Sequence, residues 1–222
     1  MTISEKLFSS DEKKRSLELL FSHHLGTIVN LHGGRVIVAQ GQEVSRVFRI
    51  DRGYVRICVY TETGLRRVVA FCGAGTVLGF DQLNGPTWNV SVEAITHCVL
   101  TSIPKAVAQR RVEADHTLRE SVMCELQTEI EQREAHLVMM GILPSSERVY
   151  AFLKAFSDMR ARDGFLALPM CRRDIGDYLG LSMETVSRSF STLRETGRIE
   201  MKTPEKFRIA DKEDRSLDHR AA

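Results

Sequence analysis

The stretch from about residue 116 to residue 141 constrains the fold most, because it contains neither proline nor glycine until its last residue, Gly141. Apolar residues recur in it at intervals near three, four and seven, which predicts one long helix with a single apolar seam. The seam can pack on the helix's own domain or form a parallel coiled coil with a second copy, and the helix length favours the second copy. We therefore expect a homodimer held by Val122, Leu126, Ile130, Leu137 and Met140.

The segment before this helix, from about residue 28 to residue 103, consists of short runs rich in β-branched residues, which predict short strands. Short strands with glycine turn signals at this spacing are typical of a sandwich or barrel. The sequence 61–64 (TETG) indicates a hairpin turn, and residues 11–25 resemble a short amphipathic helix. The predicted strands cover 35–39, 46–50, 54–60, 66–71, 90–95 and 98–103.

The segment after the long helix predicts a small helical domain with a terminal hairpin. A Pro-Ser-Ser break at 144–146 starts a helix over 146–160, with Ser145 or Ser146 as its N-cap. Residues 198–211 alternate like two strands around a Thr-Pro turn. The order is therefore helix, β-barrel, long helix, helical domain and hairpin.

Composition excludes several classes of protein. The 222 residues carry a formal net charge of +2, too little to identify a nucleic-acid binder by charge alone. No apolar run approaches the roughly 18–20 residues of a membrane span, and the N-terminal residues lack the apolar core of a signal peptide. The five cysteines are scattered and odd in number, which argues against a disulfide framework. We expect a cytoplasmic protein with no membrane partner.

Residues 171–190 (CRRDIGDYLGLSMETVSRSF) contain two short helical patterns separated by Gly180. The first pattern runs from Arg172 to Leu179, and Ser182 can cap the second. This spacing is that of a helix-turn-helix, whose second helix enters the DNA major groove. The inward positions of the two patterns are Ile175, Tyr178, Leu179, Val186, Phe190 and Leu193.

Four side chains remain on the outer face of the second helix: Met183, Glu184, Ser187 and Arg188. Arg188 can donate to guanine, Glu184 can accept from cytosine N4, and the other two can touch a thymine methyl. Alternatively, Glu184 and Arg188 form an ordinary i, i+4 surface pair. The glycine turn, the inward apolar set and the hairpin together favour base contact. Phosphate contacts are expected from Arg172, Arg173, Arg194 and Lys202.

These motifs resemble the CRP/FNR family of bacterial transcription regulators over residues from about 25 to 210. The form E-T-V-S-R, with Ser187 inside it, resembles the FNR and FixK branch, and LPMCRRDIGDYLGL resembles the FixK-type regulators of nitrogen-fixing alphaproteobacteria. The resemblance implies an α+β fold: an N-terminal jelly-roll-like β-roll (1–110), a long dimerisation helix (111–143) and a C-terminal winged helix-turn-helix (144–222). It also implies an activator that recognises a TTGAT…ATCAA palindrome in double-stranded DNA, with RNA polymerase as a partner.

Departures from the ligand-binding members of this family predict that no cofactor is bound. No cysteine precedes Cys58, and a lone Cys98 cannot hold an iron–sulfur cluster that needs four ligands. Members that bind cyclic AMP carry an arginine for the phosphate where this chain has Trp88 and Asn89. We therefore predict a regulator, not an enzyme, that acts without a cyclic nucleotide, an iron–sulfur cluster or a metal.

Cys171 stands at the entrance of the first helix, directly before two arginines. A helix N-terminus and neighbouring arginines favour the thiolate, which is the form that oxidises first. In the resembling family this entrance lies against a phosphate, so oxidation of Cys171 is expected to inactivate DNA binding. The alternative is that Cys171 is a small N-cap residue in place of Ser or Thr.

Two other functions stay open at this stage. A haem- or ligand-sensing regulator of the same architecture would use histidines such as His32, His97, His116 and His136. A cupin-like metal enzyme would need an HxH pair, but the closest histidines, 23 and 24, precede the strands. No set of nucleophile, base and orienting group stands out for any enzyme.

Overall fold

The computed structural model describes residues 19–21, 26–158 and 164–210. A short 3-10 helix at Leu19–Phe21 falls within the predicted helix 11–25, whose other residues lie outside the described ranges. The strands of the first half are β1 (Thr27–Leu31), β2 (Val36–Val38), β3 (Arg46–Arg52), β4 (Val55–Tyr60), β5 (Arg66–Cys72), β6 (Val77–Leu78), β7 (Ser91–Ala94) and β8 (Cys98–Pro104). All six predicted strands are present, and β1 and β6 are additional.

Helices dominate the second half of the chain. They are α1 (Lys105–Ala114), α2 (His116–Ile142), α3 (Ser145–Asp158), α4 (Arg172–Leu179) and α5 (Met183–Glu195), followed by β10 (Ile199–Thr203) and β11 (Lys206–Ile209), with β9 (Leu166–Ala167) before α4. By internal contacts the chain divides into two compact units, one ending at Ile130 and the other beginning at Glu131. The predicted domain boundaries at 110 and 143 stay predictions.

The first unit is built on two four-stranded antiparallel sheets, with strand orders β1-β8-β3-β6 and β2-β7-β4-β5. Strands from both sheets contribute to one buried cluster, which includes Ile50, Val55, Val92 and Leu100. The alternation of buried and exposed residues along β3 and β4 places these side chains inward. This architecture confirms the predicted N-terminal β-roll.

The long helix α2 runs almost as predicted, but the structure corrects its apolar seam at Val122. That residue is only 5% exposed, and it packs with Phe21 and Leu118 in the core of the first unit. Leu126 packs against the same cluster. Ile130 and Leu137 of the predicted seam are strongly exposed, as are the apolar side chains of Met123, Val138 and Ile142.

The second unit packs α3, α4 and α5 around a three-stranded sheet of order β10-β11-β9. Its fully buried side chains come from every layer: Phe152 of α3, Ile175 of α4 and Phe207 of β11. The rings of Phe156 and Phe207 lie 6.4 Å apart and join α3 to the sheet. The hairpin predicted around the Thr-Pro turn is confirmed, and it forms the wing, defined here as Ile199–Ile209.

Candidate nucleic-acid interface

Two glycines set the geometry between α4 and α5. Gly180 ends α4 in the left-handed conformation, with φ of 65°, which a side chain would disfavour. The backbone N–H of Leu181 donates to the Gly176 carbonyl at 2.9 Å. A Cβ on Gly176 would lie 2.5 Å from the Leu181 carbonyl oxygen, so only glycine allows this close approach. The tight turn fixes the direction in which α5 leaves α4.

The start of α5 is capped as its sequence predicts. The Ser182 hydroxyl accepts a hydrogen bond from the Thr185 backbone N–H at 3.1 Å. The predicted inward residues of α4 and α5 are all buried, which confirms the inner face. The opposite face of α5 is exposed and carries Met183, Glu184, Ser187 and Arg188.

Glu184 and Arg188 carry opposite charges on this exposed face, but they form no direct salt bridge among the described residues. A hydrogen bond from its own backbone N–H, and a second from Ser182, lower the pKa of the Glu184 carboxyl. Arg188 and Arg173 lower it further. An ionised acceptor and a guanidinium donor are therefore both presented outward at the N-terminal end of α5.

The four residues predicted to contact phosphates differ in their surroundings. Arg173, Arg194 and Lys202 are exposed, at the start of α4, the end of α5 and in the wing. The Arg172 guanidinium instead stacks on the Phe190 ring, with Cζ 3.0 Å from the ring centroid, and its Nη2 donates to the Pro204 carbonyl at 2.6 Å. Arg172 thus has partners within the protein that the sequence did not signal.

Cys171 is exposed and occupies the N-cap position of α4. Its backbone carbonyl accepts a hydrogen bond from the Ile175 N–H at 3.1 Å, but its side chain makes no capping hydrogen bond. The thiol therefore does not replace a Ser or Thr cap, in contrast to Ser182 at the start of α5.

Arg198, which the sequence analysis does not name, connects the start of the wing to α3. Arg198 forms a bidentate salt bridge with Glu147, with one of the two hydrogen bonds at 3.0 Å, and its guanidinium lies 3.7 Å from the Tyr150 ring centroid. Arg198 lowers the pKa of Glu147. Glu147 in turn raises the pKa of Arg198. No local sequence pattern marks this pair, because its members are 51 residues apart.

The segment of the β-roll around Trp88 is tightly packed. Trp88 is only 3% exposed, and a Cβ on Gly79 would lie 2.7 Å from its indole ring. Phe80 is buried in the neighbouring cluster. Cys98 is fully buried in the core, and burial raises the pKa of its thiol.

The candidate histidines do not converge on one site. His32 and His97 are exposed with ring centroids 5.6 Å apart, and His116 lies on the surface near Glu120. His136 stacks on Tyr178 in the second unit. No three His, Cys, Asp or Glu side chains of the described ranges come together as a metal site requires. None of the helices in those ranges is long and apolar enough to cross a membrane.

Comparison with known proteins agrees with both halves of the fold. Residues 28–115 match the cyclic nucleotide-binding domain family, and residues 147–214 match the Crp-like helix-turn-helix domain family. The nitrogen fixation regulation protein FixK of Rhizobium meliloti is 32% identical over 87% of this chain and 90% of its own length. FixK of Azorhizobium caulinodans is 29% identical over 92% and 83%. The solved structure of FixK2 from Bradyrhizobium japonicum superimposes with a TM-score of 0.79 at 27% identity, covering 87% of this chain and 96% of that one.

A β-roll followed by a helix-turn-helix, with a charged and exposed second helix, defines a DNA-binding transcription regulator. The chain belongs to the CRP/FNR family, in its FixK branch.

Proposed function

We propose that the chain acts as a homodimeric activator that recognises a TTGAT…ATCAA palindrome through the exposed face of α5. The observation that carries this proposal is the pair of ionised groups, Glu184 and Arg188, held outward at the N-terminal end of that helix without a salt bridge between them. Arg188 supplies the two donors that guanine accepts, and Glu184 supplies the acceptor for cytosine. Ser187 and Met183 flank them.

Replacing Arg188 tests this assignment. We expect Arg188→Ala to cost about 1–3 kcal/mol in binding and to relax the choice of guanine in each half-site. Binding is measured on the palindrome, with half-site centres roughly 10 bp apart, and on versions with the guanine changed. Arg35→Ala, an exposed arginine of the β-roll, serves as the control. An Arg188→Ala protein that still preferred the original palindrome would refute the assignment.

The homodimer is proposed from the exposed apolar residues of α2. Met123, Ile130 and Leu137 recur every seven residues and are 62%, 56% and 70% exposed. Leu126 and Met140, also predicted for the seam, are half-buried beside them. A second copy with the same helix would cover this stripe, and a two-fold dimer matches a palindromic site.

Ile130→Glu tests the dimer, because it would bring two like charges together in an apolar seam. We expect monomers by sedimentation and loss of tight palindrome binding. Thr117→Glu adds the same charge to an exposed position in the first turn of α2 and should leave the dimer intact. An Ile130→Glu protein that remained dimeric would place the interface elsewhere.

We infer that the β-roll serves as a scaffold without a bound cyclic nucleotide. The Trp88 indole rests on Gly79, and Trp88 stands where the phosphate-binding arginine of cyclic-AMP-binding relatives would lie. A cyclic phosphate placed there would have neither space nor a cation. Titration calorimetry with cyclic AMP should show no heat of binding, and the nucleotide should not change operator affinity.

Oxidation of Cys171 is proposed to switch off DNA binding. The thiol is exposed at the entrance of α4, beside exposed Arg173, and a sulfinate or sulfonate there would repel a DNA phosphate. We expect peroxide to weaken operator binding by the wild-type protein but not by Cys171→Ser, while Cys171→Asp should mimic the oxidised state. Equal loss in Cys171→Ser would place the oxidised residue elsewhere, with Cys124 of α2 as the next candidate.

The proposed setting is the cytoplasm, with RNA polymerase as the protein partner and control of nitrogen-fixation genes as in the FixK relatives. No catalytic role is proposed. Cross-linking in cells that express the chain, followed by immunoprecipitation of the chain and sequencing of the bound promoter DNA, tests the setting. Recovery of RNA polymerase with that DNA tests the partner.

A further inference from the structure

We propose that Arg172 is a positioning residue that fastens the wing to the second helix of the helix-turn-helix, and that it does not contact a DNA phosphate. This inference rests on the proposed function, since it assigns a role within the DNA-binding surface. It revises the expectation that all four basic residues near this surface bind the phosphate backbone.

The side chain of Arg172 joins three elements. Arg172 is the first residue of α4, and its guanidinium covers the ring of Phe190 in α5. Its Nη2 donates to the carbonyl of Pro204 at the tip of the wing. Phe190 is itself buried, so the guanidinium stacks on a fixed platform. Because the group is planar, it can stack on the ring and donate in its own plane at the same time.

Arg172 is half-buried, and both terminal nitrogens of its guanidinium are either covered or already hydrogen-bonded within the protein. Its Nη1 is buried and has no hydrogen-bond partner in the described ranges, while Nη2 is engaged by Pro204. Partial burial lowers the pKa of Arg172 to about 10, against the opposing charge of Glu205. A bidentate contact with phosphate through Nη1 and Nη2 would need both of these nitrogens on the surface.

Stability alone does not explain a half-buried guanidinium at this place. A charged group with one unsatisfied nitrogen costs free energy to bury, and an apolar side chain of similar length would cover Phe190 without that cost. What an apolar side chain lacks is the hydrogen bond to the wing. The distinctive contribution of the arginine is therefore the position of the wing relative to α5.

The position of the wing matters because exposed basic residues flank the contact between Arg172 and Pro204. Lys202 projects from the wing, and Arg173 follows directly in α4. Phosphate contacts fix the register of a protein on the duplex, so a displaced wing would shift Lys202 away from its phosphate. Arg173, which is exposed, is the natural phosphate-contacting neighbour and the matched comparison.

The experiment compares two pairs of variants: Arg172→Lys and Arg172→Met with Arg173→Lys and Arg173→Ala. Lysine keeps the charge and can still bind a phosphate, but it cannot stack and donate as the planar guanidinium does. We expect Arg172→Lys to weaken palindrome binding about tenfold with an unchanged salt dependence. Arg173→Lys should bind nearly as the wild type, while Arg173→Ala should flatten the log–log salt slope by roughly 0.9 for each lost phosphate contact.

Hydrogen exchange without DNA provides the second readout. We expect backbone amides of Ile199–Ile209 to exchange faster in Arg172→Lys and Arg172→Met than in the wild type, and to be unchanged in the Arg173 variants. An Arg172→Lys protein with wild-type affinity, or an Arg172→Met protein whose salt slope falls as in Arg173→Ala, would overturn the inference. Unchanged wing exchange would overturn it independently of DNA. Absence of palindrome binding by the wild type would instead refute the proposed function.

Discussion

Each of the two units withdraws a charged side chain from water, fully at Glu93 and only partly at Arg172, and the two side chains have different hydrogen-bond partners. In the β-roll, Glu93 accepts two hydrogen bonds from Arg56, at 2.7 and 2.8 Å, and one from Tyr60 at 2.7 Å. In the winged unit, Arg172 makes one hydrogen bond and leaves one buried nitrogen without a partner. A buried charge with all its hydrogen bonds made suits a scaffold, and the unpaired Nη1 agrees with the positioning role proposed for Arg172.

The pKa values follow the same division. Burial alone would raise the pKa of Glu93, but the hydrogen bonds from Tyr60 and Arg56 outweigh it, and the pKa is lowered. The hydrogen bond to Glu93 is the largest cause that raises the pKa of Tyr60 to about 12. For Arg172, burial is the largest cause and is not outweighed. At Glu93 the hydrogen-bond partners thus outweigh burial, whereas at Arg172 burial is not outweighed.

Breaking the network in the β-roll should have the largest effect on stability. Glu93→Gln keeps the shape but removes the charge that compensates Arg56, and it turns one acceptor into a donor. We expect the free energy of unfolding to fall by about 2–3 kcal/mol, toward the low end for a broken buried pair because Arg56 keeps some exposure to water. Urea unfolding measures the change.

Glu62→Gln is the matched control, because Glu62 lies exposed in the turn between β4 and β5. Its free energy of unfolding should stay within about 0.5 kcal/mol of the wild type. A Glu93→Gln protein as stable as this control would show that the β-roll does not depend on its charge network.

The parts of the fold that could be predicted from sequence are those with local signals. Gly180 with its left-handed φ, the Ser182 cap and the apolar spacing of Val186 and Phe190 all act within a few residues. They place α4 at the predicted residues. The β-roll strands follow from the same kind of local evidence, whereas the absence of a bound cyclic nucleotide stays a prediction.

The features that could not be predicted depend on contacts between distant residues. Val122 and Met123 are both apolar neighbours in α2, and only the packing of Val122 against Phe21 decides which one faces outward. Arg172 looks like a phosphate ligand in sequence, because its partners, Phe190 and Pro204, lie 18 and 32 positions away. Side-chain partners at such separations leave no local pattern.

A smaller effect is expected from His136, the titratable group that α2 contributes to the second unit. Its ring stacks on Tyr178 at 4.2 Å between centroids, and its Nδ1 is buried without a partner among the described residues. Burial, and then the charge of Arg148, lower the pKa of His136 below 6.5, although a hydrogen bond with the Tyr178 backbone opposes this. The unfolded chain therefore binds this proton more readily than the folded one.

The contribution of neutral His136 to the free energy of unfolding is fully present above pH 6.5. It is lost as the pH falls from 6.5 through the lower pKa of His136 in the folded protein. We expect the thermal midpoint of the wild type to drop over this interval more than that of His136→Gln. His116→Gln, which removes an exposed imidazole, should follow the wild type. Parallel curves for all three proteins would contradict the buried, neutral state of His136.

The smallest effect on stability is expected for Arg172→Met, and it sharpens the comparison most. Methionine can still cover the Phe190 ring, and it removes the cost of burying a charge with an unsatisfied Nη1. It loses the stacking of the cation and the hydrogen bond to Pro204, so the opposing changes should leave the free energy of unfolding within about 1 kcal/mol of the wild type. Urea unfolding beside Glu93→Gln measures this difference directly. If Arg172→Met were as destabilising as Glu93→Gln, Arg172 would stabilise the fold as Glu93 does. Its proposed role in positioning the wing would then lose its support.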